Sequence, residues 1–369
     1  MPRRTSFVGI MPASSTVLHY VGYDDDRGGI VSVVRALAGA GVFPCVLGVN
    51  IGFVPQREVL LPVLALPRLE GERIGLRTLW PARAVACVVR DWLHADPARV
   101  FHGHSRAGLL VALWLHRWGE RRVIVSVHCY GRQRWFYRWA AGRLGNRLFW
   151  LTPAMRSYYG VPGREWEQCI PGCLAQGEAT GVRREAAGCI RLAGVGALVR
   201  WKGWHLLVEA LAKLPAPVLA RLKFCHIGTD DGSADSRAYA GELRGRTMAA
   251  GLEQTIEWRG QQSSSAPLLS ESDGLLVTSE NEPFSIAMLE ALGANVPVIA
   301  ADSGGAADLV QPPKNGLLFK TGSPDDLARV LRSLVETEEL GRVRIDREAL
   351  RRFSAPVVAA QWAAVYARL

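Results

Sequence analysis

The chain has 369 residues, 49% hydrophobic and 21% charged: too long for one ordinary core, and too apolar for a disordered chain. Its formal net charge of +10, from 44 Lys and Arg against 34 Asp and Glu, fits nucleic acid, an anionic membrane surface or a phosphorylated substrate. Charge alone chooses none of them.

No apolar run reaches the roughly 18–20 residues that a membrane-spanning helix needs. The start, Met1-Pro2-Arg3-Arg4, is basic, but Thr5 to Tyr20 lacks a sustained apolar core and a small-residue cleavage site, so no signal peptide is expected. The run Asp24-Asp25-Asp26 reads as an exposed loop. Gly28-Gly29 reads as a helix-entry turn, followed by a helix over Gly29 to Ala40 and a strand over Cys45 to Val49. Further strands are predicted at Arg99 to His102, Arg122 to Val127 and Phe149 to Thr152, the last leading into a short helix, Pro153 to Tyr159. The segment Arg132 to Trp139, continuing through Arg143 and Arg147, is basic and aromatic. Trp135 and Trp139 fall one helical turn apart, either facing a lipid surface or forming the core side of an ordinary helix.

Seven scattered cysteines, an odd number, argue against a full disulfide framework. Cys169 and Cys173 have no partner pair at zinc-site spacing. A reduced, cytoplasmic protein is expected. A seam at Ile170-Pro171-Gly172 and a polar stretch, Ala175 to Gly188, precede a second series. Its strands are predicted at Ile190 to Ala193, Lys223 to Ile227, Thr255 to Trp258, Gly274 to Thr278 and Val296 to Ala300. Its helices include Trp204 to Leu214 and Ala287 to Gly293. Such alternation implies α/β architecture with parallel sheets covered on both faces. The segment Phe353 to Leu369 has helical spacing and is long enough to cross back to the first half.

The informative stretch runs from Thr278 to Ala291. A buried strand ends in a polar turn, Pro283 suits entry into a helix, and the helix begins near Ser285. Open backbone N–H groups at that start, with the positive end of the helix dipole, form a site for a diphosphate or carboxylate. Glu282 precedes the helix and Glu290 lies one to two turns inside it. Pro297-Val298-Ile299-Ala300 then reads as a strand ending in Asp302-Ser303-Gly304-Gly305, whose glycines allow close backbone approach.

This frame, Glu282-Pro283-Phe284 … Glu290-Ala291 … Pro297-Val298-Ile299-Ala300 … Gly304-Gly305, resembles the donor-site signature of the GT-B fold retaining glycosyltransferases of family 4. Four other stretches agree. Val195 to Gly203 resembles the loop in which a lysine meets the donor diphosphate. Arg27-Gly28-Gly29-Ile30 is similar to the glycine loop that faces those phosphates. Phe101 to Gly108 resembles a histidine motif whose second histidine contacts the sugar. Ile170-Pro171-Gly172 is similar to the interdomain proline turn, without its usual asparagine.

The resemblance implies two Rossmann-like domains facing a deep cleft. An acceptor-side domain would span 1–172, a nucleotide-sugar-binding domain 173–352, and a return helix 353–369. It implies that Glu290 holds the ribose and that Arg259 lies near the base. Lys202, Gly29 and the Phe284-Ser285-Ile286-Ala287 turn would surround the diphosphate. Glu282 would hold hydroxyls of the transferred sugar and His104 would orient it. Where the family has arginine this chain has Ala197, and Arg200 from the same loop is the expected substitute. Ser285 stands where glycine is usual, and Asp308 where glutamate is usual. His102 and His128 are read as structural, and His104 at a strand end could equally be so.

With fixed donors to stabilise the leaving diphosphate, no metal and no other cofactor is expected. The expected donor is a nucleoside-diphosphate sugar, UDP-linked by family habit. The expected acceptor is a saccharide or lipid-linked saccharide in cell-envelope polysaccharide or lipopolysaccharide synthesis, met at the inner face of the cytoplasmic membrane. Two rivals use the same scaffold: a nucleotide-sugar epimerase or hydrolase, and a nucleotide-sugar-binding protein without catalysis. No nucleic-acid-binding motif accompanies the charge, so nucleic acid is not an expected partner.

Overall fold

The computed structural model describes residues 15–25, 28–55, 61–69, 75–164, 167–174, 188–337, 340 and 343–369. Asp26, Arg27 and most of the polar stretch after Leu174 lie outside the described residues.

The first sheet contains β1 (Thr16–Tyr20), β2 (Cys45–Asn50), β3 (Val63–Leu66), β4 (Arg99–Gly103), β5 (Val123–Val127) and β6 (Leu148–Trp150). Its helices are α1 (Gly29–Gly39), α2 (Leu76–His94), α3 (Arg106–Arg117), α4 (Arg134–Leu144) and α5 (Pro153–Tyr159). The second sheet contains β7 (Ile190–Val195), β8 (Leu222–Ile227), β9 (Ile256–Trp258), β10 (Gly274–Val277), β11 (Val298–Ala301) and β12 (Gly316–Phe319). With it come α6 (Trp204–Ala212), α7 (Ala216–Leu219), α8 (Ala234–Ala249), α9 (Ala266–Ser270), α10 (Ile286–Gly293), α11 (Ala306–Leu309) and α12 (Pro324–Thr337).

All pairings in both sheets are parallel, in the orders β3-β2-β1-β4-β5-β6 and β12-β11-β10-β7-β8-β9. Counted from its own first strand, the second sheet repeats the order of the first. Each therefore has one point where the strand order reverses, between β1 and β4 and between β7 and β10. Ligands of such sheets bind outside the carboxyl ends of the strands at that point, and the fold aims the two points at one cleft.

Burial on both faces explains the apolar strands. In β1, Leu18 and Tyr20 face α2 and α3, whereas Val17 faces α1 and a terminal helix, Ala355–Tyr366. That helix follows a short turn of helix, Arg347–Leu350, and packs Val358, Trp362 and Tyr366 with Val33 and Leu37 of α1. Where the chain crosses between the sheets, two segments pair. Leu174 N–H donates to the Phe353 carbonyl at 3.2 Å, and Ala355 N–H donates to the Leu174 carbonyl at 3.1 Å. Among the described residues no helix is long and apolar enough to cross a membrane.

Three strands were not predicted. β3 and β12 are four-residue edge strands, too short to show periodicity, and β1 carries polar residues at Thr16 and His19. Thr152, predicted as the end of a strand, instead caps α5, its hydroxyl accepting from Met155 N–H at 3.2 Å.

Candidate functional site

A cavity of about 1180 Å³ lies between the carboxyl ends of the two sheets. Its first wall is built by the Gly28–Gly29 turn before α1, by Arg106 at the start of α3, and by the loop His128 to Gln133 between β5 and α4. The facing wall is built by Gly196, Ala197, Trp201 and Lys202 after β7, and by the turn Glu280 to Ala287 with Glu290 after β10.

Glu282 is the fixed point of the facing wall. It is only 4% exposed; its carboxylate accepts from Lys202 Nζ at 2.7 Å and from Ser279 Oγ at 2.8 Å. Its carbonyl accepts from Gly305 N–H at 2.7 Å. A Cβ at Gly304 would lie 2.4 Å from that carbonyl oxygen, and one at Gly305 would lie 2.4 Å from the Pro283 oxygen. The glycine pair thus lets two backbones press together, and a side chain at either position would displace the Glu282 turn.

Ser285 caps α10, its hydroxyl accepting from Met288 N–H at 3.3 Å. The N–H groups of Ile286 and Ala287 belong to the first helical turn, where no intrahelical acceptor exists, so they point toward the cleft. Glu290 accepts from Ser265 Oγ at 2.6 Å and also lines the cavity. Phe284 lines it while packing its ring 5.7 Å from Phe353. Gly29 stands opposite Ile286: a Cβ there would be 3.4 Å from the Ile286 side chain.

Three expected residues sit elsewhere. Arg200 does not reach the cavity; its guanidinium donates to Glu242 at 2.6 Å and lies over the Tyr239 ring. Arg200 and Lys202 are two residues apart in a 3-10 turn, so their side chains diverge. Among the described lining residues Lys202 is therefore the one cation of this wall, and Arg200 does not stand beside Ala197 in the cleft as expected. Arg259 pairs with Glu257 at 2.9 Å, outside the cavity lining.

His104 is fully buried behind the wall, and His128 takes the position in the lining. His104 Nδ1 lies 3.0 Å from His128 Nε2, and His104 Nε2 lies 2.8 Å from His19 Nδ1. Burial pushes the pKa of His19 and of His128 down to about 3. Burial, followed by the neighbouring imidazoles, holds His104 and His102 well below the ordinary value. All four are neutral at pH 7, each with one N–H and one lone pair. His19 Nε2 is buried with no partner among the described residues. A lone pair is left unpaired at lower cost than an N–H. His19 then donates to His104 and His104 to His128, which leaves the His128 proton on Nδ1.

His19, His102 and His104 also form the one group of metal-ligand spacing among the described residues, with nitrogens within 4.8 Å of one another. Both nitrogens of His102 are engaged, with the Tyr366 hydroxyl at 2.7 Å and Ser126 Oγ at 2.8 Å. Both nitrogens of His104 are engaged as well, so a metal would have to break existing bonds. Asp24 of the acidic run accepts from Asn50 and Arg68.

The sequence did not single out Ser279, Ser265, Trp201, Tyr130 or Arg106 as parts of this site. Ser279, Trp201 and Arg106 lie inside stretches that the sequence did single out, but without a role there; Ser265 and Tyr130 carried no signal. Trp135 and Trp139 are 69% and 46% exposed, which removes the core reading of that helix face.

Two Rossmann-type parallel sheets closing on a cleft, with a lysine, a carboxylate and a helix start on one wall, define the GT-B fold. Residues 188–351 match the family glycosyl transferases group 1. It is 27% identical over 146 residues to the lipopolysaccharide core biosynthesis glycosyltransferase LpsE of Rhizobium meliloti, covering 40% of this chain and 39% of that one. It is 31% identical over 117 residues to the lipopolysaccharide 1,6-galactosyltransferase of Salmonella typhimurium, covering 30% of this chain and 31% of that one. The matches thus span under half the length of these relatives. In fold it is similar to Anabaena HepE, crystallised with UDP and glucose, with a TM-score of 0.77 at 18% identity over 96% of this chain and 100% of that one.

Proposed function

We propose that this glycosyltransferase is a retaining, metal-independent enzyme that moves a sugar from a UDP-sugar to a saccharide or lipid-linked saccharide of the cell envelope. The observation that carries the reading is the arrangement around Glu282. A buried carboxylate, a lysine and the open start of α10 share one wall, with Glu290 eight residues along. The complex of HepE with UDP and glucose supports the choice of nucleotide, and the names of the two relatives support a lipopolysaccharide-type acceptor.

Each group then has a task. The nucleotide lies in the second wall with its ribose on Glu290. The diphosphate meets Lys202 and the N–H groups of Ile286 and Ala287, which stabilise the charge that grows on the leaving group. That fixed set of donors performs the work that a divalent cation does elsewhere. Glu282 leaves part of its pairing with Lys202 to hold sugar hydroxyls. His128, neutral and carrying its proton on Nδ1, takes the role expected of His104 and orients the sugar by hydrogen bonding. With no carboxylate on the first wall among the described lining residues to attack the sugar from the side opposite Glu282, a same-face displacement fits better than double displacement. The exposed Trp135 and Trp139, beside Arg134, Arg138 and Arg143, would rest on anionic lipid at the cytoplasmic face.

The test is Glu282→Ala. Transfer should fall below detection while UDP binding by calorimetry survives, in buffer containing a chelator. Unchanged turnover would remove Glu282 from the mechanism, and loss of wild-type activity on chelation would remove the metal-independent reading.

A further inference from the structure

The first wall of the cleft carries two cations to which the proposed reaction gives no task, Arg106 and Arg132. Among the described residues no aspartate or glutamate lines this wall; the three carboxylates of the cleft, Glu280, Glu282 and Glu290, all stand on the facing one. The two walls therefore differ in charge: the facing wall sets carboxylates beside its lysine, whereas the first, among the described residues, carries charge on positive side chains alone.

Position along the cleft separates these arginines from the diphosphate. The phosphate end is marked by Gly29 against Ile286, at the carboxyl end of β1. Arg106 follows β4 and Arg132 follows β5, the next two strands away from β1, offsets of about 5 and 10 Å. The β5 loop instead meets the sugar end of the facing wall. The Tyr130 hydroxyl lies 3.0 Å from where a Cβ at Gly304 would stand, beside the Glu282 carbonyl. Arg106 and Arg132 thus flank the place from which an acceptor approaches the sugar.

Chemistry narrows what they would receive. Arg106 stands beside the Tyr137 hydroxyl and the Cys129 thiol, and Tyr137, itself buried, bounds one side of the guanidinium at the wall. A guanidinium offers five N–H donors in a rigid fork that matches phosphate or carboxylate oxygens in pairs. Arg132 is exposed on the loop and supplies the second, movable cation.

We infer that the acceptor carries an anionic group, a phosphate ester or a carboxylate on a sugar, received by Arg106 and Arg132. The inference rests on the glycosyltransferase reading above and adds the chemical class of the acceptor. The group would be set down beside the sugar before closure, so that the attacking hydroxyl is oriented by an ion pair and not by hydroxyl contacts alone.

The experiment uses the full chain saturated with UDP, which fills the donor end, and follows small probes by ligand-observed NMR. Glucose 6-phosphate and glucuronate are the anionic probes, with glucose as the neutral control. At least one anionic probe should bind about tenfold more tightly than glucose, and the tighter of the two tells phosphate from carboxylate. Arg132→Gln should weaken that probe roughly tenfold, the scale of a lost charge-assisted hydrogen-bond pair, with UDP affinity unchanged. Because Arg106 supports Tyr137, it is tested as Arg106→Lys, which keeps the charge but loses the fork and should weaken the probe less than Arg132→Gln does. Equal binding of glucose and both anions, or an anion signal indifferent to Arg132→Gln, overturns the inference. A tenfold loss of UDP affinity in Arg132→Gln also overturns it, by assigning the arginine to the donor. Failure of the wild type to bind UDP is a separate result; it removes the reading on which the inference rests, and the inference with it.

Discussion

Three imidazoles, His19, His102 and His104, lie behind the cleft wall and a fourth, His128, lines it; desolvation keeps all four neutral. Their folded pKa values lie below the unfolded value near 6.5, so between the two the unfolded chain binds more protons than the native one. Stability is therefore fully present above about pH 6.5 and is lost as pH falls toward 3, at up to about 1.4 kcal/mol per pH unit for each histidine. Thermal melts should show a steep fall in Tm from pH 7 to pH 5, and His19→Asn should make that slope shallower; an identical slope would remove His19 from the effect. This cluster also marks what the sequence could not disclose. Glu282, Glu290 and Lys202 were legible because each sits on a loop whose neighbours in the chain set its direction. Which histidine reaches the cleft depends instead on the lateral order β1-β4-β5 and on His19, in a strand the sequence did not reveal. His104 was therefore expected in a place that His128 holds. Arg200 was misplaced for a similar reason, since its partner Glu242 is 42 residues away.

At the scale of elements, α10 is the part on which the proposed donor site turns, and it is only eight residues long. So short a helix cannot hold itself together, and its start is secured by the Ser285 cap and by Gly305 N–H on the preceding turn. Ser285→Ala should lower stability in urea melts by about 1 kcal/mol. A change within error would mean that packing alone sets the helix start. The same scale decides which strands could be read. β2, β4, β5, β7, β8 and β10 lie inside their sheets, and their apolar runs showed in the chain. β3 and β12 pair on one side only; β3 has two exposed residues, one partly buried and only Leu66 fully buried over four positions, which a loop can do equally well.

For the whole molecule, the organising contact is that of the terminal helix with the first sheet. Tyr366 donates to or accepts from His102 at 2.7 Å, and Trp362 packs 4.4 Å from the same ring. Burial raises the pKa of Tyr366 well above its ordinary value, so the hydroxyl stays protonated. Tyr366→Phe leaves a buried nitrogen of His102 unsatisfied and should cost about 1–3 kcal/mol, with the KM for donor unchanged. A shift in KM without loss of stability would instead place the helix in the active site. The return of the chain was visible in the sequence as helical spacing, but not its paired crossing, in which Leu174 bonds to both Phe353 and Ala355. A single crossing strand can swivel freely, whereas two that are hydrogen-bonded together define an axis about which the lobes can close.

The returning helix also sets a timetable for biosynthesis. The strands of the first sheet leave the ribosome early, yet one face of that sheet is capped by residues 355–366, made about 200 residues after β6. At the roughly 5–20 residues per second of translation, Val17, Val100, Ile124 and Phe149 wait some ten seconds or more for their cover. The second sheet, continuous in the chain from β7 to β12, can finish first. The lobe that begins the chain is thus completed last, and its uncovered apolar face is where a nascent molecule would need a chaperone.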